Sequence, residues 1–135
     1  MALEDGEALV IDYEIPPGSP YAGICLTNRW SEMIDCERRQ TSLNLAQSQV
    51  DDGRVRILLS TEDFGVHNWL DARGYRTGVV TWRASTSQQP VTPALTVIRT
   101  DQLAEYFGPG QRISADERRR AIEARARHIA ERNAL

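Results

Sequence analysis

The stretch GVHNWLDARGYRTGVVTWR, residues 65–83, gathers a histidine, an asparagine, an aspartate, two tryptophans and three glycines into nineteen residues. His67 has the chemistry of a general base. Such a base needs a carboxylate to orient its ring, and a cation helps where the substrate is acidic. Asp71 and Asp35 are the candidate carboxylates, and Arg39 or Arg83 the candidate cation. A hydrolase or lyase with His67, Asp71 and Asp35 as its catalytic candidates is one reading of these residues.

The same side chains belong to a wider polar and aromatic set. Asn28 and Trp30 stand where one expected strand ends, Asn44 where another begins, Asn68 and Trp69 beside His67, and Arg83 on a later strand. Loops at strand ends carry function on a rigid scaffold. The leading reading is therefore a non-catalytic, accessory domain that binds a small ligand or a partner through Asn28, Trp30, Asn44, His67, Asn68, Trp69, Asp71 and Arg83, converging at one end of the fold. A purely structural reading competes with it. In that reading Trp30 and Trp69 are core anchors, Asn68 and Asp71 tie down a turn, and Gly74 and Gly78 supply positive φ or close backbone approach.

Several chemistries lack their parts. A zinc or iron site needs three or four converging His, Cys or carboxylate ligands, and the chain has two histidines, one of them, His128, in a charged C-terminal segment. No metal and no cofactor are expected. A Ser-His-Asp triad would lack the GxSxG turn that exposes a nucleophile in the α/β-hydrolases. Neither GxGxxG nor GxxxxGK[ST] occurs, so nucleotide chemistry has no support. Cys25 and Cys36 form neither a CxxC pair nor a disulfide framework and read as free thiols.

The elements that must position these groups are short strands. Residues 8–15 mix an apolar run with alternation, and prolines 16, 17 and 20 end them. Residues 21–28 place Ala22, Ile24 and Leu26 on the better core face. Residues 42–50 and 54–61 flank Asp51, Asp52 and Gly53, a turn signal that predicts a β-hairpin with one side of its second arm buried and the other partly wet. Strands over 78–84 and 95–99 follow, separated by a polar loop at 85–90. Six strands at this spacing predict a mainly β fold over residues 1–100, an antiparallel sandwich or jelly-roll-like sheet.

Residues 101–135 read as a helical extension. A short helix is expected over 101–107, ended by Gly108, Pro109 and Gly110. Ser114 and Glu117 have capping-box spacing, opening a helix over about 115–132 whose apolar stripe, Ala115, Ile122, Ala126 and Ile129, is narrow. Seven arginines against four acids give +3 from residue 111 onward, leaving nine against fifteen, −6, over residues 1–110. A basic helix beside an acidic body implies docking on its own domain or on a neighbouring subunit. A structural or oligomerisation module that completes a larger enzyme is the third reading.

At 135 residues, 41% hydrophobic and 26% charged, the chain suits one ordinary domain. No apolar run reaches the length of a membrane span, and MALEDGEALV carries three acids and no base, unlike a secretory leader. A cytoplasmic location is expected, with no membrane partner. All sixteen strong bases are Arg and none is Lys, a mark of a G+C-rich genome rather than of nucleic-acid binding, for which no reading motif is present.

The ordered series NRWSEMIDCERRQTSLN (28–44), the Asp-Gly turn, HNWLD (67–71), Gly74, Gly78 with Arg83, and ISADERRRAIEARARHIAER (113–132) resembles the bacterial family known as domain of unknown function 1214. The resemblance implies a jelly-roll-like β-sandwich that usually forms the C-terminal part of a longer two-domain chain. It therefore implies a second domain or a co-encoded chain as partner, because expected strand one begins almost at the N-terminus. The chain departs from the family at Tyr75, where relatives often carry His, and at Ala84, where an aromatic is common. Any site lined by those positions in relatives would differ here.

Overall fold

The computed structural model describes residues 1–85, 89 and 91–135. Among the described residues, seven strands form two sheets. Strands β1 (Glu7–Glu14), β4 (Arg54–Ser60), β5 (Trp69–Asp71) and β7 (Ala94–Arg99) form one sheet in the order β5-β4-β1-β7. Strands β2 (Ala22–Thr27), β3 (Ser42–Asn44) and β6 (Val79–Ala84) form the other in the order β3-β2-β6. Thus the fold is mainly β, with helices α1 (Leu103–Tyr106) and α2 (Ala115–Asn133) at the C-terminal end.

Alternation in the strands divides the core in two. Leu9, Ile11 and Tyr13 of β1 join Val55, Ile57 and Leu59 of β4 and Leu70 of β5 in a cluster with Ala22, Ile24 and Leu26 of β2 and Leu43 of β3. Tyr13 meets Trp82 of β6 edge to face, with ring centroids 5.6 Å apart. The opposite face of the four-stranded sheet is also covered. Ala8, Val10, Leu58, Trp69 and Ile98 pack there with Val66, Leu103 and Phe107. Where β1 and β4 run beyond that cover, Asp12 and Glu14 face Arg56 and Arg54 across the ladder and pair with them, as opposite charges on neighbouring strands do.

Residues 69–71, expected as part of a loop, form the additional strand β5, and two expectations about pairing fail. Asp51, Asp52 and Gly53 do form a tight turn, with the Asp51 and Arg54 backbones exchanging hydrogen bonds of 2.9 Å and φ positive at Asp52 and Gly53. Its arms are nevertheless not a hairpin: β3 pairs with β2, and β4 with β1 and β5. Asn44 ends β3 early, because its Oδ1 accepts from the Gln47 amide and its carbonyl from Ser48, which folds residues 45–48 into a turn. The chain then crosses from one sheet to the other. Nor is every pair antiparallel: β4 and β5 run parallel. Residues 61–68 carry the chain back along β4, held against the segment before α2 by His67 N to Gln111 O and Ile113 N to Gly65 O, both 2.8 Å. The chain therefore enters β5 in the direction of β4.

The helical signals are obeyed. Thr100–Gln102 is a single 3-10 turn leading into α1. The Ser114 hydroxyl accepts from the Glu117 amide at 3.1 Å, and the Glu117 carboxylate accepts from the Ser114 amide at 2.7 Å. The expected stripe on α2 is altered, however: Ala115 is exposed, and Arg118, Ile122, Arg125, Ala126 and Ile129 turn toward the body. Of the loop expected at 85–90, residues 86–88 and 90 lie outside the described residues. No described helix is long and apolar enough to cross a membrane.

Gly78 admits β6 beside β2, since a Cβ there would lie 2.5 Å from the Thr27 carbonyl oxygen. Backbone cannot swing aside as a side chain can. Gly78→Ala should therefore lower stability by about 1–3 kcal/mol in urea unfolding, the usual range for an overpacked site. An unchanged midpoint would contradict this close approach.

Candidate functional site

The residues of HNWLD separate as soon as β5 forms. Successive strand residues point to opposite faces, so Trp69 enters the outer cluster and Leu70 the core between the sheets. Trp69 is 2% exposed and its Nε1 donates to Ser60 Oγ at 2.9 Å. The guanidinium groups of Arg73 and Arg118 lie over its ring, 5.4 and 5.1 Å from the centroid.

Asp71 has no exposed surface. Its carboxylate accepts two hydrogen bonds from the Arg39 side chain, at 2.7 and 3.1 Å, further bonds from the Arg73 side chain, the shortest at 2.6 Å, and one from the Arg73 amide. Burial alone would push the carboxyl up. The Arg39 and Arg73 hydrogen bonds outweigh it and hold Asp71 at about 2, below the ordinary 3.8. A carboxylate so acidic and so fully occupied is an anchor, and it is not the partner of His67.

His67 is held by Asn68 instead. The Asn68 Oδ1 accepts from the Gln49 amide, and its Nδ2 donates to the carbonyls of Gln49 and Arg56, which fixes the orientation of the amide. His67 Nδ1 lies 3.0 Å from that Oδ1. The neutral imidazole therefore carries its proton on Nδ1, leaving Nε2 as an acceptor. Among the described residues, no carboxylate forms an ion pair with His67, so an orienting acid of the expected kind is missing.

The other candidates do not converge on one point. Asn28 builds a turn: its Oδ1 accepts from the Trp30 and Glu32 amides and its Nδ2 donates to the Glu32 carboxylate. Trp30 is 70% exposed with Arg29 against its ring, and so is not a core anchor. Asp35 is exposed and accepts from the Arg38 amide. Arg83 is exposed and borders a shallow depression of about 110 Å³ that Asn44 shares. Asn68 and Trp69 are buried with their polar atoms committed.

What the tertiary structure does assemble is a cleft of about 560 Å³ between α2 and the body. His67, Gln40, Ser42, Asn44, Met33 and Cys36 form the body's wall; Ala121, Ala124, Arg125, His128, Ile129 and Arg132 form the helix's. Of the sequence candidates, His67 and Asn44 line it. Gln40, Arg118 and Arg125 escaped sequence reasoning. Gln40 is 6% exposed and its Nε2 donates to the carbonyls of Trp69 and His67. Arg118 holds Asp63 at 2.9 Å and donates to the carbonyls of Val66 and His67. Arg125 donates to the hydroxyl and carbonyl of Ser42. The signal for the two arginines was the 118, 122, 125, 129 spacing, a helix face shared by two isoleucines and two arginines.

Both cysteines are free. Among the described residues, no three His, Cys, Asp or Glu side chains gather as a metal cluster. No family model matches the chain, and no curated protein matches it. The chain is similar to an uncharacterised protein from Burkholderia cenocepacia whose crystal structure is known, with 33% identity and a TM-score of 0.69 over 74% of this chain. It spans 28% of that protein's length.

Two consequences can be measured. Asp71 is depressed on folding, so its contribution is complete above the ordinary aspartate value and lost as pH falls toward 2; urea unfolding should lose about 2 kcal/mol from this group between pH 5 and pH 2. Asp71→Asn should be less stable at pH 7 and lack that part of the acid limb; an identical acid limb would contradict the assignment. Replacing Arg118 with Met should cost about 3 kcal/mol, because Asp63 loses its partner and the Val66 carbonyl its donor. Amide exchange in α2 should then quicken about tenfold more than in β1. Uniform protection would show that α2 does not depend on Arg118.

Proposed function

We propose that this chain is an accessory β-sandwich domain that binds a small molecule in the cleft between α2 and the β3 side of the sheets, without catalysing a reaction. The observation that carries this reading is the cleft itself. Its volume lies within the range of small-molecule sites, and it combines apolar side chains with polar groups drawn from separate elements. His67 contributes an acceptor at Nε2 and Asn44 an amide, which keeps both of these sequence candidates at the site.

The hydrolase or lyase reading loses its support with Asp71, whose oxygens are saturated by two arginines, and with the neutral amide that orients His67. The nested pairing of β1 with β7 and of β2 with β6 favours a jelly-roll-like arrangement of the sandwich. Together with the motif series from Asn28 to Arg132, it favours membership of domain of unknown function 1214. The greater length of the Burkholderia cenocepacia protein favours a second domain or co-encoded chain as partner. The outer face of α2, exposed at Arg119, Arg120, Glu123 and Arg127, is where a homo-oligomer contact would form. A cytoplasmic setting suits the free thiols.

A fragment screen followed by amide NMR on the full chain tests the site. Binding should shift the amides of Asn44, His67 and Ile129 saturably, and Ala124→Trp, at an exposed helical position on the cleft wall, should abolish the shifts with stability changed by less than about 0.5 kcal/mol. Shifts confined to another face, or none across the screen, would overturn the reading.

A further inference from the structure

We propose that the occupant of the α2 cleft is a small organic anion whose carboxylate or phosphate group is held by Arg125, with its apolar part lying along Met33, Ile113 and Ile129. This rests on the ligand-binding reading above and adds the chemical class of the ligand.

The chain as a whole carries more acids than bases, 19 against 16, and yet, among the described residues, the cleft is lined by three arginines and no aspartate or glutamate. Only one of those arginines is neutralised: Arg118 pairs with Asp63. Among the described residues, neither Arg125 nor Arg132 forms an ion pair.

Arg125 is half-buried, and its partners, Ser42 Oγ at 3.1 Å and the Ser42 carbonyl, are both neutral. Burial draws its guanidinium below the ordinary arginine range. A cation removed from water without a countercharge is unfavourable, and a bound anion would relieve that cost. A guanidinium has five N–H donors in a planar fork, suited to bidentate capture of a carboxylate or phosphate. Arg132 follows at i+7 on the same helix face and adds positive potential along the cleft. Besides the neutral Gln40, Ser42, Asn44 and Gln47, the lining includes Met33, Ala46, Ile113, Ala121, Ala124 and Ile129, and this apolar surface disfavours a bare inorganic ion and favours a headgroup with a hydrocarbon body.

The test titrates the full chain, in low-chloride buffer, with hexanoate, hexanamide and inorganic phosphate, and follows the Arg125 Nε–H signal and the Asn44 and His67 amides. Hexanoate should saturate these signals and bind at least about tenfold more tightly than hexanamide, as a charge-assisted pair requires. Saturation by phosphate as well would assign a phosphorylated ligand, and saturation by hexanoate alone a carboxylic acid. Arg125→Gln should weaken hexanoate about tenfold. Should that variant unfold because it loses Ser42, the exposed Arg132→Gln, expected to weaken binding about threefold, carries the test. Equal binding of hexanoate and hexanamide in the cleft would overturn the anionic class and leave the ligand reading standing. Failure of both anions to bind would overturn the inference, while the fragment screen judges the ligand reading independently. A dimer that dissociates in Arg125→Gln would also overturn it, because a second copy would then supply the countercharge.

Discussion

A single buried carboxylate joins the two sheets. Asp71 closes β5 on the four-stranded sheet, and Arg39, which holds it, stands three residues before β3 on the other. An unpaired carboxylate in that position would be intolerably desolvated, so the two sheet edges are fixed relative to each other by the need to keep Arg39 and Arg73 on it. Gln40 adds backbone to the seam: its carbonyl accepts from the Asp71 amide and its side chain donates to Trp69 and His67. Because Asp71, Trp69 and His67 follow one another along one strand and its approach, their environments are set together.

The attachment of α2 depends on that seam. No α2 residue belongs to either buried apolar cluster. The helix is held mainly by Arg118, which reaches Asp63 and the carbonyls of Val66 and His67 while covering the Trp69 ring, and by Arg125 on Ser42. Two long arginine side chains keep a helix close without bringing its backbone into tight contact, and the space between is the cleft. An apolar stripe of Leu or Phe at the same positions would have filled it. The cleft therefore follows from the manner of attachment.

Much of the fold was legible because it follows from local rules. Strand positions tracked alternation and turn residues, and the Ser114 and Glu117 box set the start of α2. Gly74 and Gly78 have the positive φ and the close approach expected of them. Pairing was less legible. The turn at Asp51 to Gly53 has hairpin chemistry, but hairpin formation also needs two arms long enough to pair, and Asn44 diverts the first arm after three residues. Trp30 illustrates the same limit: its size predicts burial, but it sits in a turn shaped by Asn28 and remains in solvent.

Sequence by itself determined most of the elements of this protein: the places of six strands, the turn at Asp51 to Gly53, where the long helix begins and how the charge is divided along the chain. Such features depend on side-chain period, proline, glycine and caps within a few residues of each position. Tertiary structure alone decided what the chemistry-bearing residues became. Asp71 became a buried anchor, Asn68 the orienter of His67, and Arg118 and Arg125 the walls and charge of a cleft, because each role depends on a partner twelve to eighty-three residues away. Local patterning cannot specify such partners; the packing of the two sheets and α2 does.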